Sequence, residues 1–272
     1  MISNEKDKES KIILFPDYKD LKDEIERLKI ELSVLLLEQD ELQFVICKNI
    51  ETEYILKLGG LEYKVYEAQC TVLRYKRKIE LIQMKKNRQE NINIQNIEAI
   101  LDEEFREYEI KLQEHIDKMN DALNRDKAKV LTEEENKELK KMYRAIVKKL
   151  HPDINPDISE SQKRLLDNAM EAYKSGDLKA LRIIYEMIDD CIIEEDIDVM
   201  GKIIKKRDEL KYHIKSIQDK IKRIKSEYPY NVKDIISDDK KVAQKKKGLE
   251  EILIQYRDVI KMYKLKIEEM LR

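Results

Sequence analysis

Glycine and proline, the residues that most often interrupt helices, are scarce in this chain. Only 5 Gly and 4 Pro occur among 272 residues, and long stretches contain neither. Within those stretches apolar residues recur at alternating spacings of four and three, the pattern of an amphipathic helix and, when sustained, of a coiled coil. Charged residues make up 41% of the chain and aromatic residues 6%, which favours narrow apolar seams with charged outer faces. The sequence therefore predicts an all-α protein.

The first apolar seam lies in the N-terminal part of the chain. Its members are Leu21, Ile25, Leu28, Leu32, Leu35, Gln39, Leu42 and Ile46. Gly59-Gly60 follows, and because two adjacent glycines often end a helix, we expect the chain to reverse there. A second seam then runs from Leu61 to Ile82. The two seams predict an antiparallel coiled-coil hairpin.

A second antiparallel hairpin is predicted at the C-terminal end. One seam runs from Ile203 to Tyr228, Pro229 interrupts it, and a last helix covers about residues 238–272. Between the hairpins, the helical pattern thins near Asn87–Asn96 and resumes afterwards, since Asn is a poor helix former. The predicted segments are a disordered N-terminus (1–16), a coiled-coil region (17–130), a central helical unit (131–192) and a C-terminal coiled-coil hairpin (193–272).

Composition and charge exclude several classes of protein. The net charge of −2 gives no overall attraction to nucleic acid or to an anionic membrane, so we expect neither as a partner. Cys47, Cys70 and Cys191 are isolated, which indicates buried thiols in a reducing compartment. The first ten residues are polar and charged, unlike a signal peptide, and no apolar run approaches the about 20 residues of a membrane span. We therefore expect a cytoplasmic protein.

The central unit contains one short polar segment, Leu150–Asp157, that holds two of the four prolines. Helical patterns flank it on both sides, so it must join two helices that fold back on each other. Thr132 with Glu135 forms a capping-box pattern at the start of the preceding helix. Gly176 and Asp177 predict the end of the following helix and the start of a third. The sequence thus predicts a compact helical unit around a stiff polar loop.

The loop has two plain interpretations. It can be an ordinary helix–helix turn, in which Pro152 ends the helix and Asp153 caps the loop. Alternatively, His151, Asp153 and Asp157 could be metal ligands, but three ligands in one short loop make a poor site without a second cluster. No Gly-rich phosphate loop, nucleophile elbow or HExxH motif occurs, and we expect no catalytic residue, metal or cofactor.

The flanks of this loop resemble a known family. The stretch 143–153, Tyr-Arg-Ala-Ile-Val-Lys-Lys-Leu-His-Pro-Asp, resembles the second helix and His-Pro-Asp loop of the J-domain. The stretch 166–173, which ends in Glu-Ala-Tyr, resembles that domain's third helix. The resemblance covers about residues 131–190. The family's short first helix is not recognisable before Thr132, and we expect the end of the 97–123 helix to take its position.

The resemblance implies a DnaJ-like co-chaperone that docks on a DnaK-type Hsp70 and stimulates ATP hydrolysis. His151, Pro152 and Asp153 would form the triggering loop, with Asp153 able to accept a charge-assisted bond from a partner arginine. The residues expected to meet an acidic Hsp70 surface lie on the preceding helix and are Lys140, Tyr143, Arg144 and Lys149. Complementarity to the helix dipole also accounts for the bases in the last turn.

Three hypotheses remain open. The coiled coils could serve client binding, location or self-association beside a working J-domain. The chain could instead be a coiled-coil scaffold in which the J-like unit is a degenerate spacer. A metal-dependent enzyme that uses His151 and Asp153 is the weakest hypothesis.

The apolar seams leave the oligomeric state open. They allow closure within one chain or pairing with a second copy, because Gln39 and Asn49 are polar residues that can set register.

Overall fold

In the computed structural model of the protein, the described residues are 16–127, 131–189 and 200–272. They form helices and connecting turns, with no strand among them, which confirms the all-α prediction. The α-helices are α1 (Pro16–Asp40), α2 (Cys47–Tyr54), α3 (Gly60–Asn87), α4 (Ile94–Glu104), α5 (Arg106–Lys127), α6 (Glu133–Leu150), α7 (Glu160–Ser175), α8 (Leu178–Asp189), α9 (Met200–Ser226), α10 (Lys233–Ile236) and α11 (Asp239–Leu271). Two π-helical turns, Glu41–Ile46 and Ile55–Gly59, flank α2, and a 3₁₀ turn, Tyr230–Val232, precedes α10.

The described residues form two compact units, each built from two separate parts of the sequence. The first unit draws on Met1–Val45 and Val130–Lys225, and the second on Ile46–Lys129 and Ser226–Arg272. These units differ from the predicted segments, because the coiled-coil regions at both ends of the chain are divided between them. The predicted disordered stretch 1–16 falls, except for Pro16, outside the described residues.

In the first unit, α6, α7 and α8 pack against one another and α1 packs on α6. Ion pairs join α1 to α9, with Lys211 Nζ 2.7 Å from Glu24 Oε1 and Lys225 Nζ 2.7 Å from Glu38 Oε1. Since the second pair lies further along both helices, α1 and α9 run parallel. Their seam residues are buried as the spacing predicts, including Leu21, Ile25, Leu32, Ile203, Leu210, Ile214, Ile217 and Ile221.

In the second unit, α3 and α11 pack along their lengths and also run parallel. Lys57, just before α3, donates to the carbonyl of Ile236, just before α11, at 2.8 Å, and further along Lys264 lies over the Tyr75 ring. α4 folds back onto α3. A core cluster joins these three helices through Leu81, Ile82, Ile97, Leu101, Phe105 and Ile267. Both parallel pairings join residues that are far apart in the chain.

The predicted reversal at Gly59-Gly60 is wrong. Both residues have right-handed helical dihedral angles, and the chain passes from the π-helical turn directly into α3. A Cβ atom at Gly59 would lie 3.1 Å from Cγ2 of Ile55, so the glycine accommodates the crowded π-helical turn. The predicted antiparallel hairpins are wrong as well, because α1 pairs with α9 and α3 with α11. The predicted break near Asn87–Asn96 is confirmed, with Asn93 as the N-cap of α4.

Two further predictions concern thiols and membrane spans. Cys47 and Cys70 are buried free thiols, and burial raises the pKa of both. Cys191 lies outside the described residues. None of the described helices is both long and apolar enough to cross a membrane.

Candidate functional site

The segment Leu150–Asp157 connects α6 to α7, so the bounds of α6 determine where the loop starts. The capping box at the start of α6 is present as predicted: Thr132 Oγ1 accepts from the Glu135 N–H at 3.2 Å, and Glu135 Oε2 accepts from the Thr132 N–H at 2.8 Å. α6 ends at Leu150, because the residue before a proline avoids helical dihedral angles. His151 is accordingly extended and starts the loop.

The loop itself is shaped by internal hydrogen bonds and one buried side chain. The N–H of Asp153 donates to Nδ1 of His151 at 3.2 Å. The side-chain amide of Asn155 donates to the carbonyls of Lys148 and Lys149, at 2.9 Å each, and so caps the C-terminus of α6. Ile154 is 1% exposed and anchors the loop to the core. In the interpretation as an ordinary helix–helix turn, Asp153 would cap the loop; in the structure the Asn155 side chain caps the end of α6.

α7 is fixed at both of its ends. Ser159 forms a capping box with Gln162, and Gly176 ends the helix in the left-handed conformation at φ 71°, as predicted. Tyr173 of α7 stacks on Tyr143 of α6, with ring centroids 4.2 Å apart and an interplanar angle of 9°. The stack and the two capped helices hold the loop between two rigid supports.

The basic face expected on α6 is engaged by α1 and α8. Lys140 Nζ forms an ion pair with Glu41, in the π-helical turn that follows α1. Lys149 Nζ donates to the carbonyl of Ile188 in α8 at 3.4 Å. Arg144 is exposed. α1 packs on α6 together with α7 and α8. The prediction that the end of the 97–123 helix takes the position of a first helix there is wrong, since that stretch belongs to the other unit.

Tyr143, expected as a docking residue, is fully buried. Its hydroxyl donates to Oδ2 of Asp40 in α1 at 2.7 Å. Burial raises the pKa of Tyr143, and the Asp40 carboxylate raises it further. Burial also raises the pKa of Asp40, although the hydrogen bond from Tyr143 and the charge of Lys174 oppose that shift. Keeping the Asp40 carboxylate charged in this buried position therefore costs free energy.

α9 lies next to the loop that joins α6 to α7. His213 Nδ1 lies 3.4 Å from Oδ2 of Asp153. A cleft of about 330 Å³ separates the loop from α9, with Pro152, Asp153 and Pro156 on the loop side and Leu210 and His213 on the α9 side. Both Asp153 and His213 are half-buried, whereas Pro152 is exposed. The loop thus meets solvent at Pro152 and a helix at Asp153.

The environment of His151 favours its neutral form. Burial lowers the pKa of His151, and the charges of His213 and Lys220 lower it further, while Asp153 has the opposite effect. Because Nδ1 accepts a hydrogen bond from the Asp153 N–H, the neutral ring carries its proton on Nε2. His151 is therefore a neutral, half-buried element of the loop.

Four residues of this site were not found from the sequence. Asp40, Glu41 and His213 contact the expected docking residues from helices far away in the chain, and Asn155 shapes the loop. One signal was available: α1 carries more acidic than basic residues and α9 more basic than acidic ones. Opposite charges on two amphipathic helices favour their pairing. They do not predict that α1 and α9 also contact α6 and the loop.

Metal binding was the other interpretation of this loop. Among residues 16–127, 131–189 and 200–272, no group of three or more His, Cys, Asp or Glu side chains could hold a metal ion. Comparisons of the chain with protein-family models, with curated proteins and with solved structures find no match. The geometry of the loop and its surroundings is therefore the basis for a functional proposal.

Proposed function

We propose that the protein is a non-catalytic J-domain co-chaperone that docks on a DnaK-type Hsp70 and stimulates its ATP hydrolysis. The observation that carries the proposal is the geometry of His151-Pro152-Asp153. The tripeptide lies at the turn between two capped helices, with Pro152 exposed and Ile154 anchoring the loop to the core. A preformed loop of this kind loses little conformational entropy when a partner binds.

The chemistry of the neighbouring helix supports the same conclusion. We call His151, Pro152, Asp153, Lys140, Tyr143, Arg144 and Lys149 the docking face. Arg144 is exposed and lies on the helix that leads into the loop. A basic helix face increases the rate of encounter with an acidic partner surface, and Asp153 offers a carboxylate that a partner arginine can bind in two-point fashion. Tyr143 contributes by supporting α7 through its ring.

The long helices of the second unit have a separate role in this proposal. α3 and α11 pair within one chain and carry many charged residues along their length. We assign to this surface the binding of a client protein or assembly with a second copy. Sedimentation at several protein concentrations distinguishes self-association from a monomer that presents the surface to clients.

The test uses a matched pair of substitutions in the same loop. Single-turnover ATP hydrolysis by a DnaK-type Hsp70 is measured with increasing amounts of wild type, Asp153→Asn and Asp157→Asn. Asp157 is exposed and lies outside the tripeptide, so its substitution controls for the loss of one charge. Wild type and Asp157→Asn should accelerate hydrolysis, and Asp153→Asn should not. Equal rates with all three proteins would contradict the proposal.

One observation favours a second function, a coiled-coil scaffold with a degenerate J-like unit. Lys140, Tyr143 and Asp153 all have partners within the chain, which is what a purely structural role would produce. A scaffold should retain its protein partners in a pull-down without Hsp70. Its binding should also be unaffected by Asp153→Asn.

A further inference from the structure

Besides their contacts with each other, α1 with its following turn and α9 both contact residues of the docking face. Glu41 pairs with Lys140, and Asp40 accepts from Tyr143. His213 approaches the carboxylate of Asp153. Two helices from distant parts of the sequence thus meet the same small surface. We call α1, with its following turn, and α9 the covering helices.

The covering helices present the chemistry expected of the partner itself. The ammonium of Lys140, on the basic helix face that would bind an acidic partner surface, is here paired with the carboxylate of Glu41. Beside it, the carboxylate of Asp40 accepts from the hydroxyl of Tyr143. The Asp153 carboxylate, which can accept from a partner arginine, faces the imidazole of His213 instead. Because the Lys140 ammonium and the Asp153 carboxylate are groups that the partner would use, these contacts and those of the partner cannot form together.

The polar contacts of the α1 cover are imperfect. The buried amide oxygen of Gln39 and the buried hydroxyl of Tyr173 have no hydrogen-bond partner among the described residues. Buried polar atoms without partners are costly. The Lys140–Glu41 pair is partly exposed, and such pairs contribute little. The cover therefore binds the docking face with a modest free energy that a competing partner can exceed.

Part of the docking face remains open for a first contact. Arg144 and Pro152 are exposed while Asp153 and Tyr143 are covered. An Hsp70 can therefore meet the exposed residues first and complete its contacts after the covering helices move. This order distinguishes a regulated site from one that is permanently enclosed.

From these contacts we infer that α1 and α9 form an autoinhibitory cover over the docking face, and that displacement of this cover controls the access of Hsp70. The inference rests on the proposed function. It adds a regulated state to that function: the closed chain is a weak co-chaperone and the open chain a strong one. The activating signal is any partner that binds α1 or α9 more tightly in the open form.

The experiment uses the full chain with an opening variant and a charge-matched control. The opening variant carries Glu41→Lys, which puts like charge against Lys140, and His213→Asp, which puts like charge against Asp153. The control carries Glu31→Lys and Lys222→Gln, which make the same changes in net charge at exposed positions of α1 and α9. Single-turnover ATPase stimulation is measured at sub-saturating concentrations, and circular dichroism verifies that each variant remains helical.

Stimulation by the opening variant should exceed that of wild type by about tenfold, because the open population rises by that factor, while the control should match wild type. His151→Gln in the opening variant should abolish the gain. Equal stimulation by wild type and the opening variant would overturn the cover and leave the proposed function intact. Absence of stimulation by both would overturn the proposed function, and with it the cover.

A second variant tests the cover if the first does not fold. Asp40→Asn keeps an oxygen that can accept from Tyr143 and removes a charge that is costly in this environment. The closed form should therefore gain population, and stimulation should fall about threefold below wild type. Hydrogen exchange of the loop amides at 153–155 should slow in parallel. Faster exchange or greater stimulation would contradict the cover.

Discussion

Nδ1 of His213 in α9 lies 3.4 Å from Oδ2 of Asp153 in the loop between α6 and α7. The two residues are far apart in the sequence, yet they face each other across one cleft. This contact joins the loop to α9, and the Tyr143–Asp40 hydrogen bond joins α6 to α1. These contacts and the pairing of α3 with α11 have four measurable consequences.

Removing the hydroxyl from either of the two stacked tyrosines, Tyr143 and Tyr173, should have different effects on the free energy of unfolding. Tyr143→Phe removes the donor to Asp40 and leaves a buried carboxylate with fewer partners, which should reduce the free energy of unfolding by about 1–2 kcal/mol. Tyr173→Phe removes a buried hydroxyl without a partner, so the free energy of unfolding should stay the same or rise. Urea denaturation measures both values. A larger loss from Tyr173→Phe would show that the assigned partners are wrong.

His151 should report on the covering helices through its pKa. Burial lowers the pKa of His151 in the folded chain, so the unfolded chain takes up this proton first as pH falls. Its contribution to stability is therefore complete above about pH 6.5 and decreases below that value. NMR titration of the imidazole should give a pKa below the ordinary histidine value in wild type. A higher pKa is expected in the Glu41→Lys/His213→Asp variant, where burial decreases and the carboxylate introduced by His213→Asp adds negative charge nearby.

That titration has a clear contrary result. A pKa for His151 at or above its ordinary value in wild type would mean that burial of the ring does not outweigh the charge of Asp153. The same pKa in both proteins would mean that α9 does not affect the loop.

Arg144 should contribute to the rate of Hsp70 binding. It is exposed on α6, and Arg164 is exposed on α7, so Arg144→Glu and Arg164→Glu make the same charge reversal on two faces of one unit. Only Arg144→Glu should slow association with ATP-bound Hsp70, by about tenfold at low salt, and the difference should shrink as ionic strength rises. Stopped-flow binding measures the rates. Equal slowing by both variants would indicate a general charge effect without a defined face.

The parallel pairing of α3 and α11 should depend on buried residues of α11. Ile267 is 7% exposed and belongs to the core cluster, whereas Leu265 is 62% exposed. Ile267→Asp should lower the free energy of unfolding of the second unit by about 3 kcal/mol or more. Leu265→Asp should change it by less than about 0.5 kcal/mol. Thermal denaturation compares the two, and similar losses would contradict the pairing.

Local features of the fold could be predicted from the sequence because their causes lie within a few residues. The capping box of Thr132 and Glu135, the glycine C-cap at Gly176 and the break before Asn93 each depend on neighbouring side chains. The apolar seams were predicted for the same reason, since spacing alone identifies the buried face of a helix. These features account for the helices and for the position of the loop.

Pairing between distant helices could not be predicted, because spacing does not specify the partner of a seam. Gly59-Gly60 allowed either a reversal or a continuous helix, and the burial of Leu58 at 1% exposure accompanies the continuous one. For the site, the tripeptide and the basic helix were identified directly. Asp40, Glu41 and His213 were not, since their role arises only from the tertiary fold.

Single-turnover ATP hydrolysis by a DnaK-type Hsp70 in the presence of the full chain separates a J-domain co-chaperone from a scaffold. The wild type should accelerate hydrolysis in a concentration-dependent manner. His151→Gln should abolish that acceleration while leaving the circular dichroism spectrum and the melting temperature close to those of wild type. Acceleration that persists with His151→Gln, or no acceleration by either the wild type or the Glu41→Lys/His213→Asp variant, would contradict the proposed function.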